Sequence, residues 1–415
     1  MGAVQGCCAL RSKDGKPALD QGTSRKVATV ASAYVGFGDH VVFAPLWATP
    51  DAGQKKRIAV IGSEQLRVYE IVEKEESVSF ELCLNQIADP GESFTALSFW
   101  SSSESTKLVA AVFKAVPIAS SGKAKAGEDP LAWQLQKSAV LRVWDLSTQE
   151  DKRPEAVDNW HQVVRELGSS GKRHQQQVSC IAVNPTKVVS ADDQGECFVW
   201  NKADPSQGLV SKLIHAGGVG GIDCDRVCLY SVGALDRTVG VWDIRNLNAL
   251  QTIDVAATPG LGKMRALLGV CRPASRWAAV ASQKTPAAQG FIFVSAWSEQ
   301  GEGLLMEWTL GTPKCRSLVR AHAAKVNCMA YGPYDNGPIL STGADGHIRV
   351  WHHAAMKCIS AAQEKSGSVK SLCVEPQVRF YGVTDGGVLK AYSLVQGDGD
   401  TQTSDAGSSI LLTVR

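Results

Sequence analysis

His322, Ser341 and Asp345 are residue types that together could do chemistry, because an imidazole, a hydroxyl and a carboxylate are the parts of an acyl-transfer relay. The trio is not unique in the chain. His215 and Asp236 recur upstream, as do His174 and Ser190, and each group precedes a tryptophan: Trp200, Trp242 or Trp351. A nucleophile is needed once, whereas a set that returns at intervals is scaffolding, so these side chains are expected to satisfy one another inside the fold. Cys224 and Cys228 stand four apart, but no second Cys or His pair follows at zinc-ligand spacing. "HAGGVGGID" (215–223) is rich in glycine yet lacks the Gly-Lys-Ser/Thr of a phosphate loop. No catalytic residue, metal or other cofactor is expected on these grounds, and the chain reads as non-enzymatic.

Such residues need a core to hold them, and the 415-residue chain can build one. Hydrophobic residues make up 44% and charged residues 20%, the composition of a soluble globular protein. With 43 basic and 41 acidic residues, the net charge of +2 argues against a dedicated nucleic-acid binder. The nearest thing to a basic patch, "GKRH" at 171–174, reads as a solvated loop. Of the 12 cysteines, Cys83, Cys180, Cys197, Cys271, Cys328 and Cys373 sit singly in apolar runs, where a thiol behaves as a small core residue. Arg11, Lys13 and Asp14 interrupt the opening too early for a secretory signal, so free thiols in a reducing, cytoplasmic setting are expected.

Repetition organises the chain. "LRVYEI", "LRVWDL", "CFVWNK", "VGVWDI", "LLMEWTL", "IRVWHH" and "VLKAYSL" are apolar runs that close on Tyr69, Trp144, Trp200, Trp242, Trp308, Trp351 and Tyr392. The aromatics are spaced by 75, 56, 42, 66, 43 and 41 residues, and the shorter gaps match one four-stranded blade. Turn-forming Gly, Pro, Asn and Asp clusters separate β-prone runs within each unit. The chain resembles a WD-repeat β-propeller over roughly residues 26–396. That resemblance implies an all-β fold of seven blades, each a four-stranded antiparallel sheet. In that family a His, a Ser or Thr, an Asp and a Trp form one hydrogen-bonded set per blade. Blade six carries all four as His322, Ser341, Asp345 and Trp351. Blade four carries His215, Asp236 and Trp242, with Val232 where the hydroxyl would stand; blade three carries His174, Ser190 and Trp200, with Gln194 in place of the Asp. Blade five offers a surplus strand among "MRALLGV", "RWAAVAS", "FIFVSAW" and "LLMEWTL". Closing the ring needs a strand from one end of the chain; "KVATVASAYV" (26–35) is the better candidate and "SILLTVR" (409–415) competes.

Insertions and ends complete the organisation. Residues 116–137 interrupt blade two and read as a loop, with Trp133 and Leu135 packing back on the propeller. A second insertion at 149–173 carries a predicted amphipathic helix over 158–171. Asp158 is its cap, Trp160, Val163, Val164 and Leu167 form one face, and Gly168 ends it. Residues 397–415 form a polar, disordered tail with a short terminal strand as an option. Residues 1–25 form a flexible leader. There Gly2 is exposed once Met1 is removed, and Cys7 and Cys8 are placed for palmitoylation, although Gly6 stands where the strict myristoylation motif wants Ser or Thr. Acylation at these sites would add a peripheral membrane association.

The stretch "YSVGALDRTVGVWDIR" (230–245) resembles the box of propellers that serve as substrate receptors of cullin-four ubiquitin ligases. Asp236, Trp242, Asp243 and Arg245 match its key positions. The resemblance implies that Arg245 projects toward the ligase adaptor while Asp236 and Trp242 hold the blade. The corresponding runs in blades two, three and six end in Ser147, Ala203 and Ala354 instead. The leading reading is a platform for other proteins. A ligase receptor docking through Asp243 and Arg245 is one alternative, and an acylated signalling scaffold is another. Cytoplasmic placement is expected, with a nuclear one also open.

Overall fold

A computed structural model describes residues 25–34, 40–43, 56–74, 77–101, 106–118, 134–146, 163–167, 173–203, 210–258, 262–271, 290–311, 313–332, 338–375 and 379–396. These residues form strands and turns, without helices, in seven four-stranded antiparallel sheets. The first strand of each sheet packs against the first strands of the sheets before and after it, and the series returns on itself. The first strands therefore surround a central axis and the fourth strands form the rim, as in a seven-bladed β-propeller.

Burial follows from that arrangement. The second strand of blade four, Cys228–Gly233, and that of blade six, Ile339–Gly343, are buried at every residue, because neighbouring blades cover both their faces. Such strands carry small and apolar residues without alternation, their few hydroxyls being buried with the rest. The outer strand of blade five, Lys314–His322, instead alternates exposed and half-buried residues along the rim. All seven closing aromatics lie on third strands and are buried, from Trp144 at 1% exposed to Trp242 at 7%. Each is driven into the blade before it. Trp242 packs with Val189, Ala191 and Val199 of blade three, and Trp144 with Leu66, Val68 and Leu84 of blade one. An aromatic of this size buries roughly 150–250 Å², so seven such wedges account for the joints of the ring. Opposite the aromatic in blades one, two, four, five and six, the outer strand carries a bulge.

Ring closure uses the N-terminal candidate. Arg25–Tyr34 pairs antiparallel with Val388–Gln396 as the outer strand of blade seven, from Arg25 opposite Gln396 to Tyr34 opposite Val388. The competing segment 409–415 lies outside the described residues, as do the leader and the tail. Blade five takes Met264–Cys271, Gly290–Ser298, Gly303–Leu310 and Lys314–His322 as its four strands. The surplus run "RWAAVAS" also lies outside the described residues.

Two expectations are corrected. The helix over 158–171 is not formed where the chain is described: Val163–Leu167 is the outer strand of blade two, with Trp144 opposite Val163 and Leu141 opposite Leu167. The open edge of Gln134–Asp145 offers a row of backbone partners, and the β-branched Val163 and Val164 suit a strand. Tertiary pairing therefore overrides a short helical period. The insertion at 116–137 is likewise partly sheet. Strands Thr106–Ile118 and Gln134–Asp145 stay paired out to Ile118 opposite Gln134, which lengthens the hairpin beyond the blade's usual size.

Candidate functional site

The loops of the propeller fall on two faces. One face holds the turns between second and third strands and the links from each blade to the next; the other holds the turns between first and second and between third and fourth strands. The recurrent polar sets lie on the first face. In blade six, His322 Nδ1 is 2.9 Å from Asp345 Oδ1, His322 Nε2 is 2.8 Å from Ser341 Oγ, and Trp351 Nε1 donates to Ser341 Oγ at 2.9 Å. Arg349 adds a bond to Asp345 Oδ2 at 3.0 Å. Blade four repeats the chain as Asp236–His215–Ser231–Trp242, at 3.1, 2.7 and 2.8 Å. Blade three repeats it as Asp192–His174–Ser190–Trp200, at 2.8, 2.8 and 3.0 Å. Since the indole can only donate, the hydroxyl accepts from it and donates to Nε2. The carboxylate can only accept, so in blades three and four Nδ1–H donates to it; in blade six Arg349 Nη1 also stands 2.7 Å from His322 Nδ1.

Electrostatics agree with that assignment. Burial pushes the His322 and His215 imidazoles down, favouring the neutral ring. Burial works to raise the Asp345 carboxyl, but the bonds from His322 and Arg349 outweigh it and hold the group well below the usual carboxylate range. Ser190, Ser231 and Ser341 are all 0% exposed, and each oxygen already accepts an indole N–H. These hydroxyls are closed to solvent and held inside the network.

The sequence reading erred on two members. Blade four takes its hydroxyl from Ser231, one residue before Val232. Blade three takes its carboxylate from Asp192, two residues before Gln194. Blade seven builds an equivalent from other types: Glu364 accepts from Lys390 Nζ at 2.5 Å and from the Tyr392 hydroxyl at 2.8 Å, with the Ser366 amide capping Glu364 at 2.9 Å. A buried glutamate at the link between blades was the available signal, since an unpaired one would be costly. The ten described cysteines are free thiols, and burial pushes those of Cys197, Cys224, Cys271 and Cys373 well up and that of Cys180 to about 12. Gly2, Cys7 and Cys8 lie outside the described residues.

The opposite face carries Asp243 and Arg245. The third strand of blade four, Thr238–Asp243, begins just after Asp236 and ends just before Arg245, so about 20 Å of chain separates them. The turn is rigid. Asp243 Oδ1 accepts the Arg245 amide at 2.9 Å, Leu247 N donates to the Asp243 carbonyl at 2.8 Å, and Ile244 N donates to the Val227 carbonyl at 2.9 Å. Ile244 and Leu247 are buried beneath it, and Leu247 sits at φ 55°. Arg245 is therefore not left unexplained by packing, as the sequence alone leaves it. Its Nε and Nη2 fork onto Asp243 at 2.9 and 2.5 Å, which depresses the Asp243 carboxyl. The side chain is nonetheless 72% exposed, while that of Asp243 is 8% exposed. The fork fixes the guanidinium plane and turns its remaining donors outward.

With seven closed blades and three complete polar sets in view, the chain has the fold of a seven-bladed β-propeller, and most of its sixth blade falls in a stretch matched as a WD repeat. The family model for the WD domain, G-beta repeat, matches residues 313–352, the stretch that holds His322, Ser341, Asp345 and Trp351. Among solved structures, the chain is similar to the WD40 β-propeller domain of Doa1, with a TM-score of 0.56 at 12% identity over 88% of this chain and 97% of that one. A chain of the mitotic checkpoint complex gives a TM-score of 0.60 at 14% identity over 88% and 94%. Similar curated proteins include coatomer subunit beta'-2 of Arabidopsis thaliana, 31% identical over 17% of this chain and 8% of that protein. DDB1- and CUL4-associated factor 13 of Gallus gallus is 32% identical over 19% of this chain. Its Xenopus tropicalis counterpart is 27% identical over 26%. The matches span 18% and 24% of those two relatives' lengths.

Proposed function

We propose that this propeller is a non-enzymatic platform for other proteins, and that the Asp243–Arg245 turn of blade four is a docking handle for the adaptor of cullin-four ubiquitin ligases. The observation that carries this reading is the exposed guanidinium of Arg245, oriented by a buried carboxylate. A planar fork held in place loses little freedom on binding a second carboxylate or carbonyl. The chicken and frog relatives support the same direction, since both are named as factors associated with that ligase.

The test is capture of the purified adaptor by the full chain. Arg245→Ala is expected to weaken capture about ten-fold or more, as the loss of a charged hydrogen-bonded contact does, with the melting temperature unchanged. Capture that survives the substitution removes the handle and leaves the general platform reading.

A further inference from the structure

Lys202 follows the third strand of blade three, Glu196–Asn201, and so lies on the same face as Arg245, one blade away. Its ammonium stands 5.1 Å from the centre of the Trp100 indole, at the end of the first strand of blade two. Lys107, at the start of that blade's second strand, places its own ammonium 5.7 Å from the same ring. Trp100 is buried to 9% exposure in the joint between blades two and three, so both cations converge on a fixed support. The Lys202 turn is pinned, its amide donating to the Thr186 carbonyl at 3.0 Å. Lys107 has a distant carboxylate, Asp145 at 3.8 Å, whereas Lys202 has no ion pair among the described residues.

The half-buried Lys202 ammonium has given up water without gaining a carboxylate partner among the described residues. Burial accordingly pushes the Lys202 ammonium down to about 8. A desolvated cation of this kind is costly until a negative group is placed beside it. We infer that Lys107 and Lys202, gathered on the Trp100 indole, form an anion site that receives carboxylates from an acidic segment of a protein partner. This rests on the reading of the Arg245 face as the docking surface, and it adds the chemistry of what docks there.

The surroundings favour a peptide carboxylate over other anions. A carboxylate, that of Asp145, already stands 3.8 Å from the Lys107 ammonium, so a single carboxylate is an anion the cluster accommodates. The indole is too covered to stack a nucleobase, which single-stranded nucleic acid would require.

The experiment measures binding of a fluorescent decaglutamate peptide to the full chain by polarisation, beside adaptor capture. Lys202→Glu and Lys107→Glu are each expected to weaken peptide binding at least ten-fold, while Lys357→Glu, an equal charge change on the same face in blade six, leaves it within two-fold. Equal losses in all three variants would reduce the effect to net charge and overturn the site. Displacement of the peptide by single-stranded DNA or phosphatidylserine vesicles at lower concentration than by unlabelled peptide would overturn the partner class. If Lys202→Glu abolishes peptide binding but the wild type captures no adaptor, the anion site stands and the ligase reading fails. If the adaptor is captured and Lys202→Glu alters neither measurement, the anion site fails alone.

Discussion

His215 and His322 each hold a carboxylate on one ring nitrogen and a serine hydroxyl on the other, while burial pushes both rings down toward the neutral form. Below about pH 6.5, the ordinary histidine value, the unfolded chain takes up protons that these folded rings refuse. Stability therefore falls as the pH drops. The Asp236 and Asp345 carboxyls are depressed, so their contribution persists through that window and is lost only at more acid pH. The melting temperature is expected to be level near pH 8 and to decline between about pH 6.5 and 5, with a smaller decline in His322→Gln. A level profile down to pH 5 in the wild type would mean that the rings charge freely inside the fold. Arg245 is the contrasting case, since it keeps its charge at any of these pH values and its partner Asp243 stays ionised beside it.

Elements obey a register that single residues conceal. In blades three, four and six the serine lies two residues beyond the strand partner of the tryptophan: Val188 faces Trp200, Leu229 faces Trp242 and Ile339 faces Trp351. The same count in blade two, where Leu108 faces Trp144, lands on Ala110; in blade five, where Ile292 faces Trp308, it lands on Val294. The indole N–H groups of Trp144 and Trp308 are the ones left buried without a partner. Ala110→Ser is thus expected to stabilise the chain by about 1 kcal/mol by giving the Trp144 N–H an acceptor. Ala111→Ser, on the other face of the same strand, is expected to destabilise it by about 1–3 kcal/mol by burying an unpaired hydroxyl. Urea midpoints distinguish the two, and equal shifts would refute the register. The third strands were legible from sequence because a β-branched run ending in an aromatic is a local signal. Ser231, Asp192 and the strand at Val163–Leu167 were not, because each is decided by what lies across a sheet rather than along the chain. The Trp100, Lys107 and Lys202 cluster was hidden for the same reason, since it is assembled from two blades.

For the whole molecule, the joint between the chain's two ends decides whether there is a ring. The strand Arg25–Tyr34 pairs along the full length of Val388–Gln396. At about 0.5–1.5 kcal/mol for each net backbone bond, the lost ladder is comparable to the 5–15 kcal/mol that holds a typical domain. A chain beginning at residue 35 is therefore expected to lose cooperative unfolding and to self-associate through the bared edge of Val388–Gln396. Calorimetry and size-exclusion chromatography would reveal it, and a monomer melting within a few degrees of the full chain would contradict it. The closing pair has one more effect. Arg25 pairs with Gln396 at the end of blade seven that opens onto the Arg245 face. A bead, surface or fusion partner joined close to Arg25 or Gln396 would shade the Arg245 face, whereas a permuted chain joined across 396 and 25 and opened between 118 and 134 would present its tether on the far side.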